Sequence, residues 1–545
     1  MATETSILIV GGSLNGLSLA LLLAQHGVRC LVVERHAATT VQYKFSGISP
    51  RSMEIYRSLG IEDEIRANRT GDQAAGAIAR ARNLSDPDIE WMMASAWPDT
   101  SDISPTAAAT CDQDRLEPIL RAHAERRGAD IRFHTELVDF EQDAREVRAR
   151  IRHLGTGDEE SVVADYMVGA DGAHGSIRDA LGIARHGPGP LQHWMNLIFE
   201  TDLEPFLAGR RFTSCFVTDV NGSILPREDP DRWMLAVPYV PERGERPEQF
   251  DAAYCRELVR RAAGRHDVRA DLVDARQWEV AGYVADRYRD GRVFLVGDSA
   301  HVIPPTGGFS GNTGIHDAHN LAWKLAAVVH GRASASLLDS YDRERRPVAE
   351  ATLAQALARL AAWFKDPTKR LPPAVPIVDD YRVVFGYVYP SGAFVADASV
   401  PSARLAQGIF EDPRAPSSRP GARAQHVVLD DDGSPLSTLD LFGSGFVLLA
   451  GSRGASWCEA VRRMASSQLD IHCHRIAPDG DLHDVAGRWN ALYGVRDDGA
   501  VLVRPDGYIA WRSPSAANDP EAMLTEVLSR IGMRADGSRG QRAHP

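Results

Sequence analysis

The chain has 545 residues, 44% hydrophobic and 25% charged, which excludes a disordered or fibrous protein and points to two or three globular cores. A net charge of −13 without a dense Lys/Arg patch argues against a nucleic-acid partner. The apolar stretch 7–23 is broken by Gly11, Gly12, Ser13, Asn15 and Gly16, so neither a signal peptide nor a membrane span is expected, and no other apolar run is long enough to cross a bilayer.

Residues 6–10 read as a buried strand, 17–25 as a helix ended by Gly27, and 29–34 as a second strand. Both strands are apolar throughout, as in a parallel sheet covered on two faces. Helices are expected over 51–57 and 115–127, and strands over 130–133, 147–151 and 165–170. From 182 to 284 the pattern alternates and gains aromatics, notably at 193–200 and 232–240, as in an antiparallel sheet with a helix near 249–263. Residues 291–297 return to the parallel-strand pattern, and 320–329 form a strong helix. Pro-rich stretches at 367–376 and 413–420 bracket a connection, after which 426–511 reads as strand, helix, strand and a closing strand pair. Six cysteines are scattered without a CxxC pair, so no disulfide framework, no zinc site and no other metal site is expected, and a reduced, cytoplasmic setting is the default.

The first motif with chemistry is Gly11-Gly12-Ser13-Leu14-Asn15-Gly16, set between a strand and a helix. Gly11 permits a tight turn, Gly16 lets helix and strand approach, and the helix N-terminus offers free N–H groups to a pyrophosphate. Glu34 ends the second strand, where its carboxylate can accept both ribose hydroxyls of an adenosine. Ser13 stands at the usual middle glycine and puts a Cβ where the backbone should near the phosphates. A second motif is 169–178, containing Asp171-Gly172. A third runs from Gly297-Asp298-Ser299-Ala300-His301 through Pro304-Pro305 to Gly311-Asn312-Thr313-Gly314 and 317–321.

In order and spacing these three motifs resemble those of the aromatic hydroxylases among the flavoprotein monooxygenases, over roughly residues 1–390. The resemblance implies an α/β fold: a Rossmann-like FAD-binding domain (1–183 and 285–400) and an inserted antiparallel-sheet substrate domain (184–284), as in the p-hydroxybenzoate hydroxylase-like fold. Residues 401–545 resemble the thioredoxin-like C-terminal domain of larger members such as the aromatic polyketide hydroxylases, without the redox CxxC. It also implies roles. Glu34 and the adjoining Arg35 serve the adenosine end. Lys44 replaces a family arginine and Gln113 contacts the cofactor; Arg51 is an alternative phosphate contact or a brace. Asp171 is linked to FAD and nicotinamide use, and Asp298 accepts from the ribityl hydroxyls. Pro305 stiffens the loop beside the flavin, and the backbone N–H groups of Gly311 and Asn312 face its N1–C2=O edge. Ser13 and Lys44 together point to looser FAD retention than Ser13→Gly or Lys44→Arg variants would show.

With one dinucleotide fingerprint and no second, NADPH or NADH is expected to bind transiently and reduce FAD, after which O2 gives a C4a-hydroperoxide that hydroxylates an electron-rich ring. No side chain is assigned as catalytic. Substrate candidates on the inserted sheet are Trp194, Asn196, Phe216, Trp233, Ala236 and Tyr239. The aromatic small-molecule substrate is expected to be a polycyclic polyketide. Alternatives are a Baeyer–Villiger or ring-opening monooxygenase and a non-enzymatic flavin-binding interaction protein. Monomer and homodimer both stay open. His301 and His319 lack the carboxylate company of a metal site and read as hydrogen-bonded structural histidines.

Overall fold

The computed structural model describes residues 3–40, 45–68, 77–93, 99–227, 231–363, 375–397, 408–464 and 469–534. Lys44 lies outside them. The first sheet is built on strand Thr3–Val10. It pairs in parallel with Cys30–Glu34 on one side and Glu159–Gly169 on the other, and these pair in parallel with Asp130–Phe133 and Val293–Leu295. Ile7, Leu8 and Ile9 are fully buried, as covering on both faces requires. Helices Leu14–Gln25 and Ser310–Val329 pack together against this sheet. The second helix begins ten residues before the apolar pattern at 320–329, because its first turns are glycine- and polar-rich.

The inserted sheet has eight strands. Its centre is the long pair Arg185–Glu200 and Asp271–Ala285, with Arg232–Tyr239, Gly222–Pro226 and Ser214–Val217 following. Two further strands, Ile78–Ala81 and Glu90–Met93, come from the first segment. The division of 1–183 from 184–284 misses this crossing, because strand pairing between distant segments leaves no local mark. One face is filled by helix Ala252–Ala263, whose Cys255, Leu258 and Val259 meet Met195, Leu197, Phe199 and Trp233.

The C-terminal sheet runs Ile471–Arg475, Phe446–Ala450, Ala500–Val503, Ile509–Ser513, with the first pair parallel and the rest antiparallel. Helices Ala455–Met464 and Pro520–Ile531 cover one face and Trp489–Tyr493 the other, a thioredoxin-like arrangement. The chain already bonds to this unit before residue 401: Tyr389 N donates to Gly421 O (3.0 Å) and Val395 N to Ala510 O (2.8 Å). Cys458 and Cys473 form a disulfide between a helix and the neighbouring edge strand, correcting the expectation of no disulfide. Their separation of 15 carries no motif. Titration of the denatured protein should therefore find four thiols, those of Cys30, Cys111, Cys215 and Cys255, and six after reduction. Finding six without reductant would refute the pairing.

Among the described residues no helix is long and apolar enough to cross a membrane, and no group of three or more His, Cys, Asp or Glu could hold a metal ion.

Candidate cofactor and substrate site

Gly11 sits at φ +112°, and a Cβ there would overlap the carbonyl oxygen of Ala170, directly after the neighbouring strand. A Cβ on Gly16 would overlap the carbonyl oxygen of Gly11. The turn is thus closed by backbone against backbone, and only glycine fits. Asn15 ties the motifs together: Cβ atoms on Gly297 and Gly314 would both strike its side-chain amide. The first and third motifs therefore meet at one residue, whose buried Oδ1 has no hydrogen-bond partner, while the second meets the first through Ala170 at Gly11. Leu14 anchors the helix as a buried first residue.

Gly12 N donates to Glu34 Oε2 (2.7 Å), and Glu34 Oε1 accepts from His36 N (2.9 Å). Glu34 is nearly buried at the strand end, while Arg35 is exposed. The hydroxyl of Ser13, read as a point of weak phosphate contact, donates to Glu117 Oε1 (2.5 Å) and accepts from Gln113 Nε2 (3.0 Å). Glu117, fully buried, also accepts from Gln113 Nε2 (2.7 Å) and Thr40 N (2.8 Å). Sequence reading missed Glu117, although its place four residues after Gln113 on a helix was a usable signal. Glu117→Ala removes the acceptor of three donors and is expected to weaken FAD binding about tenfold, about 1.4 kcal/mol, measured as FAD dissociation from the purified protein. An unchanged dissociation constant would show that this cluster does not shape the site.

Asp171 is bonded within the protein: Oδ2 accepts from Ile177 N (3.1 Å) and Oδ1 from Ser299 Oγ (2.8 Å). Ser299 Oγ also accepts from Gly172 N (2.9 Å), which stitches the second motif to the third. Asp298 is exposed, with Ser310 Oγ 3.3 Å away, so its carboxylate faces outward beside a helix start. Asp317 Oδ2 accepts from Gly297 N (3.2 Å) and meets His301 Nε2 at 2.7 Å, while Arg345 Nε donates to Oδ1 (2.7 Å). Burial would push the Asp317 carboxyl up, but the Arg345 guanidinium beside it holds it below the usual range. This buried pair fixes the turn that presents Asp298, and nothing local in the sequence announced Arg345.

Pro305 is exposed on the loop leading to the helix Ser310–Val329. A Cβ on Gly311 would strike the ring of Phe45. The Asn312 side chain is fully engaged: Oδ1 accepts from Ser49 N (2.9 Å) and Ser52 Oγ (2.7 Å), and Nδ2 donates to Gly47 O (2.9 Å) and Gly308 O (2.8 Å). Thr313 N is the first amide bonded back, to Phe309 O (2.8 Å), so the amides of 310–312 have no acceptor within the helix. Arg51 is engaged as the bracing alternative would have it. It is buried, donating to Glu54 Oε2 (2.9 Å) and the Asp506 carbonyl (2.8 Å). His301 is hydrogen-bonded as expected; burial holds the His319 imidazole well below its usual pKa.

Of the sheet candidates, Trp194, Asn196, Ala236 and Phe216 share one face by register. Trp233 and Tyr239 point the other way. Trp233 packs against the helix Ala252–Ala263, and Tyr239 against Phe250 and His193. Trp278, which the sequence reading passed over, stacks on Trp194 with ring centroids 6.1 Å apart and donates Nε1–H to Asn196 Oδ1 (2.7 Å).

The glycine cradle, two helix N-termini, the unpartnered Asn15 Oδ1 and the outward Asp298 fit a flavin dinucleotide. Residues 4–356 match the family model of an FAD binding domain, and 417–535 that of the aromatic-ring hydroxylase C-terminal region. The chain is 41% identical to tetracenomycin B2 monooxygenase-dioxygenase of Streptomyces olivaceus, over 97% of this chain and 98% of that one. It is 38% identical to 4-methyl-5-nitrocatechol 5-monooxygenase of a Burkholderia species, over 97% of this chain and 97% of that one. A crystal structure of aklavinone-11 hydroxylase with FAD and aklavinone superposes with a TM-score of 0.90 at 38% identity, covering 98% of this chain and 99% of that one.

Proposed function

The chain belongs to the FAD-dependent aromatic-ring hydroxylases, and on that premise we propose that it is a monooxygenase that hydroxylates an aromatic polyketide at the expense of NAD(P)H and O2. FAD, when bound, would supply the redox and oxygen-transfer chemistry that uses NAD(P)H and O2. The observation that carries the reading is the meeting of three glycine motifs at one turn, the second against Gly11 through Ala170 and the third against Asn15, beside a sheet face turned away from its own helix core.

The chain's own residues bind and position. The amides at the start of Leu14–Gln25 are placed for the pyrophosphate, with Ser13, Gln113 and Glu117 bracing the turn. Glu34 is placed for the ribose hydroxyls and Asp298 for the ribityl chain. The amides of 310–312 are placed for the electron-rich edge of the ring system, where a helix N-terminus favours negative charge. Trp194, Asn196, Ala236, Phe216 and Trp278 are the proposed substrate contacts; Trp233 and Tyr239 are proposed as sheet core.

The test is NADPH consumption by the FAD-loaded protein across aromatic polyketides, with product mass. Expected are acceleration by the right aromatic and a product heavier by one oxygen with its ring skeleton retained. Failure of every aromatic to accelerate flavin reduction would overturn the reading, and ring insertion would make it a Baeyer–Villiger enzyme. Family membership leaves the number of substrate rings open, since relatives' names include both a tetracenomycin and a nitrocatechol.

A further inference from the structure

We propose that Ser52, His316 and Tyr387 are positioning residues that set how readily the bound flavin is reduced, through a one-way hydrogen-bond chain behind the first turn of the helix Ser310–Val329. This rests on the reading that the amides of 310–312 face the flavin, and goes beyond it by naming what stands behind them.

The place of every proton in the chain follows by elimination. The Asn312 amide has one orientation: its Oδ1 accepts from a backbone donor, Ser49 N (2.9 Å), and its Nδ2 faces two backbone carbonyls, Gly47 O (2.9 Å) and Gly308 O (2.8 Å). Ser52 Oγ lies 2.7 Å from the same Oδ1, which has no proton to give, so the single hydroxyl proton of Ser52 goes there. His316 Nε2, 3.2 Å from Ser52 Oγ, must then carry a proton and donate it. In a neutral imidazole that leaves Nδ1 as an acceptor, and the Tyr387 hydroxyl 3.3 Å away donates to it. The imidazole is neutral because burial, with the Arg345 and Arg51 guanidinia nearby, holds it well below its usual pKa. All four side chains are buried, so water does not compete for these bonds.

Every bond therefore runs one way, from Tyr387 through His316 and Ser52 to Asn312. The step from His316 to Asn312 covers one turn of the helix toward its start, with the positive end of each bond leading, in the sense of the helix's own dipole. It ends behind the amides of 310–312, which have no acceptor within the helix. Two electrons and one proton leave a reduced flavin with a negative charge, and a stronger positive end favours that charge over the neutral oxidised ring. At its far end the chain reaches the C-terminal unit: the Tyr387 ring stacks on Tyr508 with centroids 5.8 Å apart. That unit thus bears on the cofactor with no redox group of its own in the path.

The experiment measures the flavin's reduction potential in the FAD-loaded protein, by anaerobic titration beside a reference dye, with no aromatic substrate present. The variants are His316→Leu, Tyr387→Phe and, as control, Tyr389→Phe. Tyr389 belongs to the same buried ring cluster, but its hydroxyl accepts from Asn320 Nδ2 (3.2 Å) and lies off the chain. His316→Leu should lower the reduced-to-oxidised ratio at a set potential about tenfold, about 30 mV for a two-electron couple. Tyr387→Phe should lower it about threefold, and Tyr389→Phe should move it less than about 1.5-fold. A merely structural role would weaken oxidised and reduced flavin alike and leave the potential where it was. Should His316→Leu fail to hold flavin, the Tyr387→Phe and Tyr389→Phe pair, each lacking one hydroxyl, carries the comparison. An unchanged or raised potential in Tyr387→Phe, or an equal fall in Tyr389→Phe, would overturn the chain. The hydroxylase reading fails separately, when no aromatic accelerates NADPH consumption, and the potentials still judge the chain.

Discussion

Gly11→Ala should purify with little or no flavin. The residue sits at φ +112°, where an L side chain costs of the order of 1–3 kcal/mol in strain. Its Cβ would also overlap the carbonyl oxygen of Ala170, which is backbone held to Val10 O by its own N–H (2.8 Å) and cannot turn aside. Relief requires parting the first strand from its neighbour at the point where the pyrophosphate turn is shaped. FAD affinity should fall at least about a hundredfold, about 2.7 kcal/mol. Gly27→Ala is the control. It too has positive φ, +70°, but a Cβ there meets nothing within 4 Å. It should cost stability through strain alone and keep its flavin. Equal flavin content in the two variants, read by visible absorbance, would mean that the Ala170 approach does not shape the cofactor turn.

Arg504→Leu should strongly destabilise the docking of the C-terminal unit. Arg504, fully buried, donates to Glu344 Oε1 (2.7 Å) and Oε2 (2.9 Å) and to Asp506 Oδ1 (2.9 Å). Glu344 also accepts from Lys324 Nζ (2.7 Å) and Asn320 Nδ2 (2.6 Å), both on the helix that starts at the cofactor site. Removing Arg504 takes the guanidinium from buried Asp506 and leaves Glu344 with Lys324 as its cation, and should cost about 3–5 kcal/mol. Burial alone would raise the Glu344 carboxyl, but Arg504 and Lys324 outweigh it and bring it down from 4.5 to about 2. The sign follows. A carboxyl with a depressed folded pKa adds stability above its unfolded value of 4.5, and this is lost as pH falls from 4.5 to 2. The shift amounts to about 3 kcal/mol. Denaturation midpoints across that window should fall steeply in the wild type and less in Glu344→Gln. Parallel curves for the two proteins would exclude Glu344 as the source.

The cofactor motifs were legible because their constraints are local. A glycine forced to positive φ or to bare backbone contact marks its position whatever the rest of the chain does, and a carboxylate at a strand end keeps its place relative to the turn before it. The three-layer plan was legible for a similar reason, since apolar runs and alternation follow from which faces a strand buries. Alternation puts Trp233 and Tyr239 on the opposite face from Ala236, as odd and even positions of one strand, although all three were read as substrate candidates. What it could not say is which parity meets the cofactor, because that depends on where the helix 252–263 lands.

Other features exist only where distant segments touch. Ser13 looked like a defect in the phosphate turn until Glu117 and Gln113 were seen to close on its hydroxyl. Asp171, expected on the cofactor, is also bonded to Ile177 N and Ser299 Oγ. Arg51 looked available for phosphate and is drawn into the contact with Asp506. Cys458 and Cys473 carry no spacing signal, yet a helix and an edge strand bring them together. Backbone geometry and periodic burial are written residue by residue, so the chain alone discloses an FAD-binding turn and a sheet inserted beside it. The partner of a polar side chain is chosen by the packing of segments one to several hundred residues apart, and only the folded molecule shows which hydroxyl, carboxylate or guanidinium stays free for a ligand.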